Sequence, residues 1–134
     1  MNSKEFNNEN THKAYRLFTK GKRLSKNKKF LKAIMLLEEA KKIEPEKGSI
    51  REELAMAYYN CGLHSSAKNN FIKALDIDIT NDYAHYGLGL CLIKEGSLDK
   101  GLGHIKIASA MNPRHKIYRN AVEKYSSIIR LLDY

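Results

Sequence analysis

The chain has 134 residues, 43% hydrophobic and 29% charged, which fits one domain with a continuous core and excludes both wholesale disorder and two independent cores. No apolar run reaches the roughly 18 residues of a membrane helix, and the opening MNSKEFNNENTHK has no apolar stretch to serve as a secretion signal, so a soluble cytoplasmic protein without membrane insertion is expected. The formal charge of +9 is uneven: nine bases and no acid lie between Lys13 and Lys32, whereas eleven bases face nine acids from Arg51 onward.

Residues 1–12 are rich in Asn and lack apolar periodicity, which predicts a mobile tail ahead of a single domain at 13–134. From there the chain resembles itself at a period of 34, in segments 14–47, 48–81 and 82–115. The period predicts helices near 13–26 and 30–43, then 48–61 and 64–77, then 82–95 and 98–111, paired as three antiparallel hairpins. Lys26 to Lys29, Gly62 and Gly96 turn the chain within hairpins, and Pro45 and Pro113 mark the exits from the first and third. The second exit carries Ile79 instead, flanked by Asp78, Thr80 and Asn81, which form turns and cap helices. A closing helix at 115–132 spaces Ile117, Ala121, Tyr125, Ile128, Ile129 and Leu132 on one apolar stripe, as a cap over the last hairpin requires.

Three columns of the repeat are small at every step: Gly21, Ala55, Gly89; Ala33, Ala67, Gly101; and Ala40, Ala74, Ala108. Helix axes approach closely only where a side chain is absent or a single methyl, so these columns predict contact points. Bulky columns such as Leu24, Tyr58, Leu92 and Leu37, Phe71, Ile105 fill the space between, and each hairpin is completed by its neighbour. In the column Phe30, His64, Leu98 only His64 departs from the pattern.

With Leu17, Lys20, Gly21, Leu24, Ala33, Leu37, Ala40 and Pro45 in the first copy, Leu54, Ala55, Tyr58, Ala67, Phe71 and Ala74 in the second, and Leu88, Gly89, Leu92, Gly101, Ile105, Ala108 and Pro113 in the third, the chain resembles the tetratricopeptide repeat family over residues 14–115. The segment SIREELAMAYYNCG followed by NDYAHYGLGL also resembles short bacterial repeat proteins. The family tryptophan is missing from every copy, where Leu17, Arg51 and His85 stand, and looser local packing is expected there. The resemblance implies an all-α, right-handed superhelix of three hairpins plus a capping helix. It also implies a non-catalytic scaffold or adaptor that holds a peptide or helix of a partner protein on its concave face.

Carried over by position, that groove would present Tyr15, Phe18, Lys22 and Lys26 from the first repeat. The second adds Glu52, Met56, Tyr59 and Asn60, and the third Tyr83, Tyr86, Leu90, Ile93 and Lys94. Tyr, Phe and Met bury large areas at low entropic cost, and the lysines among them point to a partner with apolar anchors and some acidic character. The competing reading is that several of these side chains are core or are covered by the N-terminal tail or the closing helix, with Tyr83 and Tyr86 the least secure because both can lean on the neighbouring hairpin.

Family members that grip the C-terminal carboxylate of heat-shock chaperones use five set positions, held here by Phe18, Lys22, Glu53, Tyr83 and Gly87. None of these residues matches, and Glu53 would repel a carboxylate. The basic first hairpin supports an alternative, binding of nucleic acid or an acidic surface, although Lys outnumbers Arg 18 to 6 and the excess also fits AT-rich coding. Self-association through an uncovered end of the stack is a third reading. Cys61 and Cys91 read as core thiols, and no HExxH, phosphate loop or serine nucleophile motif occurs, so no cofactor or catalytic role is expected. His85 and His104 can meet across the third hairpin, but a lone His pair is weak evidence of a metal site.

Overall fold

The computed structural model describes residues 3–133, with side chains from Asn8 onward. Seven helices follow one another along the described chain: α1 (Ser3–Lys26), α2 (Phe30–Ile43), α3 (Gly48–Asn60), α4 (His64–Ile77), α5 (Asp82–Lys94), α6 (Leu98–Met111) and α7 (Lys116–Leu132). From α2 onward every boundary falls within one residue of the periodic expectation. The exception is the start: the segment expected as a tail is helical from Ser3, of which Met1 and Asn2 lie outside the described residues. Elongating an existing helix fixes one residue per hydrogen bond, so a polar segment continues a nucleated helix without needing an apolar stripe.

Helices α1, α3 and α5 each pair with the next as a hairpin, and α2 packs on α3, α4 on α5 and α6 on α7, so the hairpins stack in sequence. All nine residues of the three small columns are buried. Leu37, Phe71 and Ile105, the bulky column beside them, are fully inaccessible. The turns obey the same period. Lys28, Gly62 and Gly96 all have positive φ, of 62°, 82° and 93°, so a left-handed residue follows each first helix, and the first repeat tolerates a lysine where the others use glycine. At the exit without proline, Asp78 Oδ1 accepts from the Thr80 N–H at 2.9 Å, and Asn81 Oδ1 caps α5 by accepting from the Ala84 N–H at 3.0 Å.

The position vacated by the family tryptophan acquires a defined role. Arg51 Nε–H donates to the Pro45 carbonyl at 3.0 Å, and its guanidinium reaches Asn70 Oδ1 at 3.4 Å. One period later, His85 Nε2 lies 2.9 Å from the Ile79 carbonyl and His85 Nδ1 lies 3.2 Å from His104 Nδ1. Residues 51 and 85, 45 and 79, and 70 and 104 are each 34 apart, so both constellations are one device. It ties the second and third hairpins to the linker before each, so in those two repeats a polar bridge stands where the repeat pattern has tryptophan. The His pair is thus a variant of Arg51–Asn70, and among the described residues no group of three His, Cys, Asp or Glu side chains converges as a metal site would need.

A carbonyl only accepts, so His85 carries its proton on Nε2 and offers a lone pair at Nδ1, to which His104 Nδ1–H donates. Burial, and then the neighbouring His85, push the His104 pKa below the usual imidazole range. The unfolded chain therefore takes up a proton, below about pH 6.5, that the folded chain resists, and stability falls as the pH drops from there toward the folded pKa. We expect the urea midpoint to fall between about pH 7.5 and 5.5 more in the native chain than in His104→Asn, which copies the second repeat's arrangement and removes the titrating group. Equal slopes for the two proteins would show that this pair does not set the acid response.

Candidate functional site

The inner wall is built from the first helix of each hairpin, with α1 touching α3 and α3 touching α5. Of the predicted groove residues, Tyr15, Lys22, Lys26, Asn60 and Lys94 are exposed, and Phe18, Glu52, Met56, Tyr59, Tyr83, Tyr86 and Ile93 are half-buried. Leu90 is a correction: it is 8% exposed and belongs to the core with Ile105 and Ala121. The closing helix supplies Ala121 and so seals this stretch of α5. Ile93 also turns from the groove, because Gly101 leaves a gap in α6 that its side chain fills.

The middle of the predicted α7 stripe, Ala121, Tyr125, Ile128 and Ile129, does face inward, but its two ends do not, and Tyr118 was absent from it. Tyr118 and Ala121 are buried and Tyr125 is half-buried, but Ile117 and Leu132 are 56% and 71% exposed. Tyr118 decides the rotation: its ring stacks on His115 at 3.8 Å between centroids and meets Tyr86 at 5.1 Å, burying more area than Ile117 could. Aromatic contacts continue along the wall. Tyr83 lies 6.4 Å from Tyr86 and sets its ring edge to Phe71 of α4 at 6.3 Å, so it does lean on the neighbouring hairpin, while Tyr59 lies 5.1 Å from His64.

Charge is segregated along this wall. At the end where α3 and α5 begin lie Glu52, Glu53 and Asp82, and Glu52 Oε2 accepts from Asn81 Nδ2 at 2.7 Å. Burial raises the pKa of both glutamates; the Asn81 bond partly opposes this for Glu52, and Lys22 partly opposes it for Glu53. The Tyr83 hydroxyl is pushed well above its usual pKa by burial and then by the charges of Glu53 and Glu52. At the opposite end, Lys26, Asn60 and Lys94 stand 34 residues apart on a common rim, all exposed. Lys22 sits between the two ends, its Nζ 5.8 Å from the Phe18 ring centre.

Two groups stand apart from the groove. Cys91 is in the core, its thiol pushed up to about 11 by burial and then by Glu95, while Cys61 is only half-buried at the end of α3. Sequence reasoning missed Tyr118, Tyr125 and Asp82 as wall residues. The first two lie on α7, beyond the last periodic copy, and Asp82 read only as a helix start.

No family model matches the chain, and no curated protein matches it in sequence. Solved structures do. The TPR domain of Arabidopsis OM64 is 20% identical, covers 88% of this chain and 98% of its own, and superposes with a TM-score of 0.84. The first TPR of Spaghetti (RPAP3), bound to the HSP90 peptide SRMEEVD, is 18% identical over 89% and 94% of the two chains, with a TM-score of 0.82. The Yersinia enterocolitica type III secretion chaperone SycD, in complex with a peptide of the translocator YopD, is 13% identical over 89% and 91%, with a TM-score of 0.74.

The chain has the tetratricopeptide-repeat fold. In the tetratricopeptide frame the five carboxylate-gripping positions hold Phe18, Lys22, Glu53, Tyr83 and Gly87. Glu53 is a half-buried carboxylate there, and Gly87 lies under the ring of Phe71 with no room for a side chain. A hydrophilic clamp for a chain-terminal carboxylate is therefore not built on this wall.

Proposed function

We propose that the protein is a non-catalytic adaptor whose inner wall holds a peptide or helix of a partner protein. The observation that carries this reading is the row Phe18, Met56, Tyr59, Tyr86 and Tyr125, large side chains from α1, α3, α5 and α7 that stay half-exposed on one surface. Aromatic and Met side chains in such a setting gain most from being covered. The peptide-bound structures of RPAP3 and SycD share the fold and support the reading. Segregated charge sets the guest's orientation: its acidic residues meet Lys26 and Lys94 on the basic rim, and its polar or basic end lies toward Glu52 and Glu53. The cost of holding two carboxylates half-desolvated at that end is what a recognition surface tolerates and a purely structural one would remove.

The test is affinity capture from the native cell with mass spectrometry, followed by titration of the recovered partner segment. Tyr59→Ala with Tyr86→Ala should weaken binding at least about tenfold, roughly 1.4 kcal/mol, while the helical circular-dichroism signal persists. Tyr59→Ser alone controls for the Tyr86–Tyr118 contact, since Tyr59 can be truncated without touching that pair. Unchanged affinity in both variants would remove the inner wall as the binding surface.

A further inference from the structure

A second surface lies on the outer side of the first hairpin. In the later repeats the matching surface is covered by the second helix of the preceding hairpin. Leu54 packs with Ala33 and Leu37 of α2, and the Tyr58 hydroxyl donates to Glu38 of α2 at 2.7 Å; Leu88 of α5 packs with Phe71 and Ala74 of α4. One period earlier, Lys20 and Leu24 occupy the places of Leu54 and Tyr58; Lys20 is exposed and Leu24 only half-buried, and among the described residues α1 packs mainly on α2 and α3, which leave this side of it open. Instead two adjoining hollows of about 340 and 300 Å³ run between α1 and α2, floored by Leu17, Leu24, Met35 and Leu36. Met35 is 69% exposed, as is Leu31 nearby at 68%.

The polar bridge of the later repeats is also missing here. Positions 17 and 36, which match Arg51 and Asn70, are both leucine. A guest on this face is therefore held by apolar contact and charge, without the linker carbonyl that the bridge would need. The charge is one-sided: Lys13, Arg16, Lys20 and Lys32 line the hollows and are all exposed, and the only acids of α2, Glu38 and Glu39, are not among the lining residues. A second copy fits poorly, because the chain carries +9 and its far end, α7, presents Lys116, Arg119, Lys124 and Arg130.

From this geometry we propose that the α1–α2 outer face is a docking seat for an acidic amphipathic helix of a partner protein, separate from the inner-wall groove. The helical shape of the guest follows from what seats on the two matching faces, and its acidity from the basic rim. Binding weakens with added salt because the rim charges are exposed.

The probe is a labelled synthetic helix with Leu on one stripe and Glu elsewhere, titrated against the full chain by fluorescence anisotropy. A scrambled peptide of the same composition, vesicles containing phosphatidylserine and a short duplex DNA serve as comparisons. The helix should bind more tightly than the scrambled peptide, vesicles or DNA. Met35→Asp, and separately Lys20→Glu with Lys32→Glu, should each weaken it at least about tenfold, while Tyr59→Ala leaves it unchanged. Lys20, Lys32 and Met35 are exposed side chains whose replacement spares the core. The proposal fails if the helix does not bind, or binds no better than its scramble. It also fails if Tyr59→Ala removes binding while Met35→Asp does not, if vesicles or DNA compete more strongly than the helix, or if sedimentation shows a dimer that Met35→Asp abolishes, which would make a second copy the occupant.

Discussion

Phe71→Ala is expected to cost about 3–5 kcal/mol, the largest single loss in the fold, because it removes a fully buried ring at the seam between the second and third hairpins. The ring packs with Ala55, Ala74, Leu88 and Cys91, and lies directly over Gly87 of α5, where any Cβ would strike it. Phe71 and Gly87 therefore form a knob and its hole. Gly87→Ala alone should destabilise by about 1–3 kcal/mol through overpacking. In the Phe71→Ala background the same change should be neutral or favourable, since the methyl enters the vacated space and alanine is the better helix former by about 1 kcal/mol. Urea unfolding of the two single variants and the double variant measures this coupling. Additive losses would show that ring and glycine are not in contact. A loss below about 1 kcal/mol for Phe71→Ala would mean that the seam collapses without it.

The second large effect belongs to the close approach of α5 and α6. A Cβ on Gly89 would lie 2.6 Å from the Gly101 carbonyl oxygen, and a Cβ on Gly101 would lie 2.6 Å from the Gly89 carbonyl oxygen, so the two backbones meet face to face. The equivalent pairs in the other repeats are Gly21 with Ala33 and Ala55 with Ala67, and in the first a Cβ on Gly21 would lie 3.5 Å from the Ala33 carbonyl oxygen, so alanine is accepted where the backbones stand farther apart. Backbone cannot step aside as a flexible side chain can. Gly89→Ala and Gly101→Ala should each lose about 1–3 kcal/mol in spite of their better helix propensity. Together they should lose less than the sum, because one separation of the helices relieves both clashes. The change should reach the groove as well. Tyr86 is carried by α5 and packs on Tyr118 of α7, so pushing α6 and α7 from α5 displaces half of the inner wall. Thermal unfolding and partner titration of the same variants test both consequences, and an unchanged melting point would contradict the close packing described.

Both effects rest on features that differ in how far they can be read from residues alone. The small columns were legible because a helix contact tolerates only Gly or Ala, and a constraint repeated at three places leaves a period in the chain. Gly87 was not, since its column holds Thr19 and Glu53 in the other repeats and no recurrence marks it. Only the position of Phe71 explains it.

The candidate groove divides in the same way. Phe18, Met56 and Tyr59 were placed by carrying one helix face forward along the period, and they remain half-exposed on the wall. Leu90 was placed by the same rule and is covered by Ala121 of α7, a helix that starts one period after α5 but does not repeat its small column. One step beyond Gly89 stands Glu123, and the helix instead turns Ala121 to the core. Whether an apolar residue is guest-facing or core depends on what lies above it, which is a relation between elements distant in the chain.

By itself, then, the sequence determined the helices, their turns and their stacking contacts, since each depends on side-chain size or backbone conformation at nearby, recurring positions. Tertiary structure alone decided the rotation of α7, the pairing of Arg51 with Asn70 and of His85 with His104, the separation of acid and base along the inner wall, and the open seat on the first hairpin. Those features depend on which surfaces meet and which are left uncovered, and a linear period carries no record of that.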